Sequence, residues 1–307
     1  MRRAIVVCVG LVLIVAAAAT ADGVGAFSAF ETGVGARALA MGGAFVGVAD
    51  DAMGVAWNPA GLGGLNDTRL SGMSTNLYGL PTDLTHQYVG VTTSVFGIGV
   101  GLAWERFAVG GAFDVTEQAI IGSVGANVLD YGLVGANVKY YMAENTGVAG
   151  SGFGFDLGLQ VGIGEMFTVA LSAKDLGGTQ ISYDDETTDV VDAAYKAGMA
   201  MSLLDDALTL AADVDFGTEL GDAHVGLEFQ LIDELALRGG VVLTNLDSFQ
   251  DYDFTVGAGI NVAGMYVDAA YILNNDLGNS LVLSAEFSLG DLLGGEEEPV
   301  ADATEPE

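Results

Sequence analysis

Residues 33–65 read GVGARALAMGGAFVGVADDAMGVAWNPAGLGGL. The stretch is almost all Gly and Ala. It adds one cation (Arg37), an aspartate pair (Asp50, Asp51) and an Asn58-Pro59-Ala60-Gly61 turn. It follows a secretory signal and precedes one antiparallel strand pattern after another. A small-residue segment ahead of many strands suggests a plug threaded through a barrel.

The signal is read from Arg2 and Arg3, the apolar run Ile5 to Ala18 and the A-x-A site Ala19-Thr20-Ala21. The apolar run is shorter than the ~20 residues a spanning helix needs, which argues against an uncleaved anchor. Cys8 is the only cysteine and lies inside the signal, so no disulfide framework is expected. Hydrophobic residues are 51% of the chain and mean hydropathy is +0.46. Even so, no apolar run of roughly 18 residues follows the signal. High apolarity without helical spans is what a transmembrane barrel produces, because its strands alternate. Gly is 46 residues and Pro only 4, which excludes collagen-like and Pro-rich disordered chains.

Beyond residue 66 the dominant signal has period two. In 153–163, Phe153, Phe155, Leu157, Leu159, Val161 and Ile163 fall on one face, and Gly154, Asp156, Gly158, Gln160 and Gly162 on the other. The runs 97–104, 224–231 and 254–262 repeat this division. A half-buried soluble sandwich would need bulky polar residues on its second face. Here that face is mostly Gly, Ala, Ser and Thr, which suits a filled lumen. The expected class is all-β, a transmembrane antiparallel barrel of about fourteen strands. The strands are placed at 68–78, 84–95, 97–107, 113–128, 129–143, 152–164, 166–175, 190–204, 207–216, 222–232, 234–245, 252–263, 265–274 and 279–290. Longer polar connections (144–151, 176–189, 217–221, 246–251, 275–278) alternate with tight ones. Barrels of this kind have short periplasmic turns and longer outer loops, which puts both termini in the periplasm. The same parity puts the acidic run Asp184, Asp185, Glu186, Asp189 and Asp192 outside. The expected organisation is a signal at 1–21, a hatch at 22–66, the barrel at 67–290 and a disordered acidic tail at 291–307.

Charge narrows the partners. The chain holds 9 Lys and Arg against 41 Asp and Glu, a net charge of −32, so nucleic acid is excluded as a partner. A saline habitat, a cation-collecting surface and a face for a basic partner all fit such acidity. Five of the cations that follow the signal, Arg37, Lys139, Lys174, Lys196 and Arg238, sit in the hatch or on the small-residue face. Asp156, Asp213, Asp215, Glu228 and Glu286 share that face. A charge in a narrow lumen needs a partner. These groups therefore read as a salt-bridged network holding the hatch, with Asp50 and Asp51 as partners of Arg37; a polar path for a solute is the alternative. Gly33, Gly35, Gly42 and Gly43 read as points of close backbone approach to the inner wall, and Asn58 as the cap of a short helical turn begun by Pro59.

Catalysis has no footing. His86 and His224 lie near no G-x-S-x-G elbow or H-E-x-x-H pair, so no catalytic residue, metal or cofactor is expected. Asp213-x-Asp215 and the acidic loop 184–192 offer oxygen ligands of the kind calcium takes; the loop lacks the spaced EF-hand pattern and its turn glycine, so solvated charges are the favoured reading and calcium the alternative. Glycine alternation such as Gly97-Ile98-Gly99-Val100-Gly101 lies inside strands with no following helix, so a dinucleotide reading fails. Asn-Pro-Ala also marks aquaporin pores, but those need a second copy and six spanning helices.

The spelling GAR-ALAMGGAF-VADD-WNPAGL resembles the N-terminal hatch of FadL-type outer-membrane barrels, and is most similar to its PorV/PorQ branch. The motif covers about thirty residues, and the implied barrel nearly all of the mature chain. The resemblance implies that Asn58, Pro59 and Gly61 close the hatch before the first strand. The aromatic near the end of the final strand, Phe287, resembles the signal read by outer-membrane assembly machinery. The implied setting is the bacterial outer membrane, with lipid as surround. The implied function is passage of a hydrophobic small molecule. The PorV alternative is a part in type IX secretion with secretion-system proteins as partners. A structural barrel without flux is the third reading.

Overall fold

The computed structural model describes residues 27, 30, 32–79, 84–111, 114–128, 132–217, 220–244, 251–274 and 277–292. The expected signal, and the expected tail beyond residue 292, lie outside them. Among the described residues sixteen strands follow in chain order: β1 Arg69–Asn76, β2 Leu84–Val95, β3 Ile98–Val109, β4 Val115–Val128, β5 Gly132–Asn145, β6 Val148–Ile163, β7 Phe167–Lys174, β8 Thr179–Tyr183, β9 Thr188–Val191, β10 Ala194–Leu203, β11 Leu208–Phe216, β12 Leu220–Ile232, β13 Leu235–Thr244, β14 Asp251–Val262, β15 Met265–Leu273 and β16 Ser280–Ser288. Fourteen of them form a closed antiparallel wall in which β7 pairs with β10 and β16 returns to β1. β8 and β9 form a separate hairpin attached to β6.

The expected strands coincide with the wall strands to within a few residues. The connections need correction. Residues 144–151 are not a loop. β5 and β6 continue to a two-residue turn, Thr146-Gly147, with φ of 48° and 87°. Positive φ at both positions matches the turn to the right-handed twist of its strands. The expected loop 176–189 contains β8 and the start of β9, and β10 begins at Ala194 rather than 190. Long outer and short inner connections therefore do not alternate strictly.

The two faces of the wall are as the pattern implies. Phe153 is 63% exposed and Asp156, three residues on, only 4%. Ile98, Leu102, Val225, Leu227, Phe254, Val256, Leu281 and Leu283 are exposed. An apolar exterior of this extent belongs against hydrocarbon. No helix among the described residues is long and apolar enough to cross a membrane.

Residues 32–66 run through short pieces: helix α1 Ala36–Ala40 and 3-10 turns at Gly54–Ala56 and Pro59–Gly64. α1 packs on β13 to β16, and the Pro59–Gly64 turn packs on β3 to β6. Between them, Gly47 approaches the backbone of Met199 and Ala200 on β10. The segment thus touches inward faces on several sides of the wall. Wall glycines mark its track: Gly226 and Gly240 face Met41, Gly125 and Gly135 face the Pro59 turn, and Gly158 faces Asn58, with no room for a Cβ. The small-residue face of the strands is where one backbone must pass another.

The faces predict opposite responses to charge. Leu157→Arg points a cation at lipid and should cost ~2–4 kcal/mol. Gln160 is buried and donates to the Val46 carbonyl (3.1 Å), so Arg there would displace the segment. Gln230→Arg is the better control, since it borders a cavity of about 480 Å³. Urea unfolding in detergent should rank Leu157→Arg as the more damaging; equal loss from both would overturn the face assignment.

Candidate functional site

The interior is held by charge pairs and by wall side chains that receive the backbone of residues 32–66. Arg37, on α1, donates from Nε and Nη2 to the two carboxylate oxygens of Glu228 on β12, both at 2.8 Å. Its Nη1 reaches Asp50 and Asp51, the latter at 3.3 Å. Asp50 is 59% exposed, so the Glu228 fork is the stronger attachment. Glu228 also accepts from Arg238 Nε (2.5 Å), and Arg238 Nη1 reaches Asp268 (2.6 Å). One network therefore links α1 to β12, β13 and β15.

Other carboxylates take backbone amides. Asp213 Oδ2 accepts from Phe45 N (2.7 Å) and Val46 N (2.8 Å). Glu286 Oε2 accepts from Ala52 N (2.9 Å), while its Oε1 accepts from Arg69 (2.9 Å). Ser284 Oγ accepts from Ala36 N, and Thr255 Oγ1 donates to Ala40 O. Asn58 is fully buried. Its amide nitrogen donates to Val46 O (3.0 Å) and Leu159 O (3.2 Å), and its oxygen accepts from Ala60 N (3.1 Å) as the cap of the turn. Gly33, Gly35, Gly42 and Gly43 all have positive φ, between 68° and 89°. At Gly42 a Cβ would meet the Val241 backbone nitrogen at 3.0 Å, so conformation and space both demand glycine.

The expected lumen charges all point inward, but the pairing differs from a uniform salt-bridge network. Lys139 pairs with Asp156 (2.7 Å) and Asp175 (2.6 Å), and Lys196 with Asp215 (2.9 Å). Asp213 serves amides rather than a cation. Lys174 has no carboxylate within ion-pair distance among the described residues; its Nζ stands 5.6 Å from the centre of the Trp57 ring. Arg69 was missing from the lumen set. It bonds Glu286 and Asp67, and its parity with Ser71 and Met73 was the signal that could have found it. Burial opposes it, yet hydrogen bonds from Ser288 and Arg69 hold the Asp67 carboxyl below its usual range. His224 Nδ1 donates to Gly42 O (2.7 Å) and its Nε2 lies 3.0 Å from Lys196 Nζ, as a satisfied interior residue. No cluster able to hold a metal ion occurs among the described residues.

Two spaces flank the segment. Toward the end where the wall begins and finishes lies the cavity of about 480 Å³, lined by Arg37, Arg69, Arg238 and their carboxylates. Toward the other end lies a much smaller space, about 50 Å³, bounded by Phe27, Phe30, Ile121, Tyr141 and Lys174. Phe27 packs on Tyr141 with ring centres 4.6 Å apart, and its backbone nitrogen donates to Glu117 (3.1 Å). Thr32 Oγ1 lies 3.3 Å from His86 Nδ1, whose Nε2 pairs with Glu105 (2.8 Å).

No family model and no curated sequence matches the chain. Solved structures do. A deletion mutant of TodX, a monoaromatic hydrocarbon channel, superposes with a TM-score of 0.59 at 12% identity, covering 82% of this chain and 96% of that one. The Pseudomonas putida toluene transporter TodX gives 0.58 at 13% identity, covering 83% and 98%. A FadL homologue of Pseudomonas aeruginosa gives 0.57 at 13%, covering 80% and 96%. At such identities the likeness is one of fold: a closed antiparallel barrel of fourteen strands.

Arg37→Ala removes the cation that joins α1 to the wall. Glu228 keeps Arg238, so the loss should be ~1–3 kcal/mol, that of a partly satisfied buried carboxylate. Heat-modifiability on gels should persist while limited proteolysis nicks residues 32–66 faster. Unfolding of the whole barrel, or unchanged proteolysis, would contradict this division of roles.

Proposed function

We propose that the chain is an outer-membrane channel for hydrophobic small molecules, with residues 32–66 as its hatch. The observation that carries this reading is the cluster of Phe27, Phe30 and Tyr141 rings at one end of the packed segment, beside a small space that Glu105, Lys139, Asp156 and Asp175 also line. A general porin needs a water-filled lumen; here the middle of the lumen is filled by residues 32–66, most of them at near-zero exposure, and the polar cavity of about 480 Å³ is confined to one end. The hydrocarbon channels of similar fold support the same class of solute.

Lys174 refines the ligand. Among the described residues it has no carboxylate at ion-pair distance, and its ammonium stands beside Trp57 in a space that Glu105, Asp156 and Asp175 also line. It is the group placed to meet an anionic end of a solute with an apolar body. The finer assignment to the PorV/PorQ branch rests on the spelling of residues 33–65. It favours a second reading, a component of type IX secretion that carries a protein partner and no small-molecule flux.

Uptake into proteoliposomes separates the two. Wild-type protein should admit a hydrophobic dye, and a barrel without flux should not. Lys174→Met should reduce uptake of a carboxylated aromatic several-fold and leave its neutral analogue unchanged. Deleting residues 24–60 should raise conductance in planar bilayers from low to large, cation-selective currents. A folded deletion that conducts no more than the intact protein would rule out the hatch.

A further inference from the structure

The wall is uneven at the end that holds the aromatic space. β7 stops at Lys174 and β10 starts at Ala194, while β6 continues outward to Val148. The last β6–β7 pair is Leu157 with Ala173. Beyond it β6 runs on for roughly 25–30 Å of strand. The chain that would complete the wall here, residues 175–193, forms the β8–β9 hairpin instead.

This hairpin buries an apolar side. Ile181 is completely buried and Val191 nearly so, in the same cluster as Phe27, Tyr141 and Ile121. The hairpin packs closely over Gly150, Gly152 and Gly154 of β6, but its main-chain pairing with the wall is short. Two register pairs, Gly150 with Tyr183 and Ser151 with Ser182, join it to β6. They are flanked by Leu176 N to Phe155 O and Asp184 N to Ala149 O, both 2.9 Å. Its root is built to turn: Asp175, Gly177 and Gly178 have φ of 48°, 80° and 80°. The root is also pinned, since the Asp175 carboxylate accepts from Lys139 Nζ (2.6 Å), Tyr141 Oη and Thr179 Oγ1. A pinned base, a glycine pair and a two-stranded tip with short main-chain pairing describe a unit that opens before the wall does.

The space beneath it requires such movement. At about 50 Å³ it is far below the ~300 Å³ or more of a small-molecule site. We infer that the β8–β9 hairpin is a lid on the outer mouth, swinging about residues 175–178 to admit a hydrophobic solute to the Phe27–Tyr141 space. This inference rests on the channel reading for its purpose, and on the hairpin alone for its motion.

The test uses the full-length barrel in nanodiscs and proteoliposomes. Directly opposed strand residues suit a disulfide, so Ser151→Cys with Ser182→Cys gives a lock that a reductant releases. The Asp184 amide should exchange hydrogen at least tenfold faster than the Val134 and Ala136 amides of β5, and oxidation should slow it at least tenfold. Ile181→Cys should react with a water-soluble maleimide in the folded barrel. Uptake of a naphthylamine dye should fall at least tenfold on oxidation and recover on reduction. Asp184 exchange as slow as that of β5, or an unreactive Cys at 181, would make the hairpin fixed wall and overturn the lid. A mobile hairpin whose lock leaves dye uptake unchanged would overturn its role as gate and leave the channel standing. If wild-type protein admits no dye, the channel reading fails, and the lid with its solute fails with it, even where exchange and labelling show the hairpin to move.

Discussion

Closure of the wall between its first and last strands is the condition on which everything else depends. A backbone in hydrocarbon has no water to bond, so a sheet can cross only if it has no edge. β1 meets β16 along its whole length, from Arg69 opposite Ser288 to Asn76 opposite Leu281. Asp67 reinforces the seam by bonding both Arg69 and Ser288. A closed wall of this size encloses space, and that space must be filled, hydrated or used. In this chain it is largely filled, by a backbone so poor in side chains that it can pass within contact of the strands.

That filling changes what the interior charges do. In an open pore, carboxylates and cations would face water and set ion preference. Here Asp213 and Glu286 satisfy amides of the inner segment, and Glu228 gathers two arginines. The remaining spaces lie at the two ends and differ in character. One is ringed by arginine–carboxylate pairs, and the other combines the rings of Phe27, Phe30 and Tyr141 with the Lys139 ion pairs and Lys174.

The wall was legible in the sequence because alternation survives any detail of pairing: Phe153 to Ile163 announces its faces without reference to neighbours. The start of β6, Val148 to Ser151, was misread because Gly150 and Ser151 imitate a loop; Gly150 is the first of three alternating glycines, with Gly152 and Gly154. Their real reason is lateral, since Tyr183, Gln180 and Thr179 lie across them. The hairpin was missed because its buried residues, Ile181 and Val191, are ten positions apart among acids and threonines. Partners were the least legible part. Asp50 and Asp51 are close enough to Arg37 in sequence to be guessed. Glu228 lies 191 residues away, and no local pattern points to it. That Asp213 would serve two amides follows from where the segment turns, which composition does not encode.

The hydrogen bonds of the inner segment carry a consequence for how the molecule is made. Ala36 bonds Ser284, 248 positions later, and Ala52 bonds Glu286. Both acceptors stand on β16. Until that strand is in place, the amides near the start of the chain have no protein partner and must stay solvated. Residues 32–66 are therefore among the last to acquire their structure, and their long loop closures are met only when the barrel seals. Sealing the wall and seating its contents are one event, so a nascent barrel stays open inside for as long as it remains open at the seam.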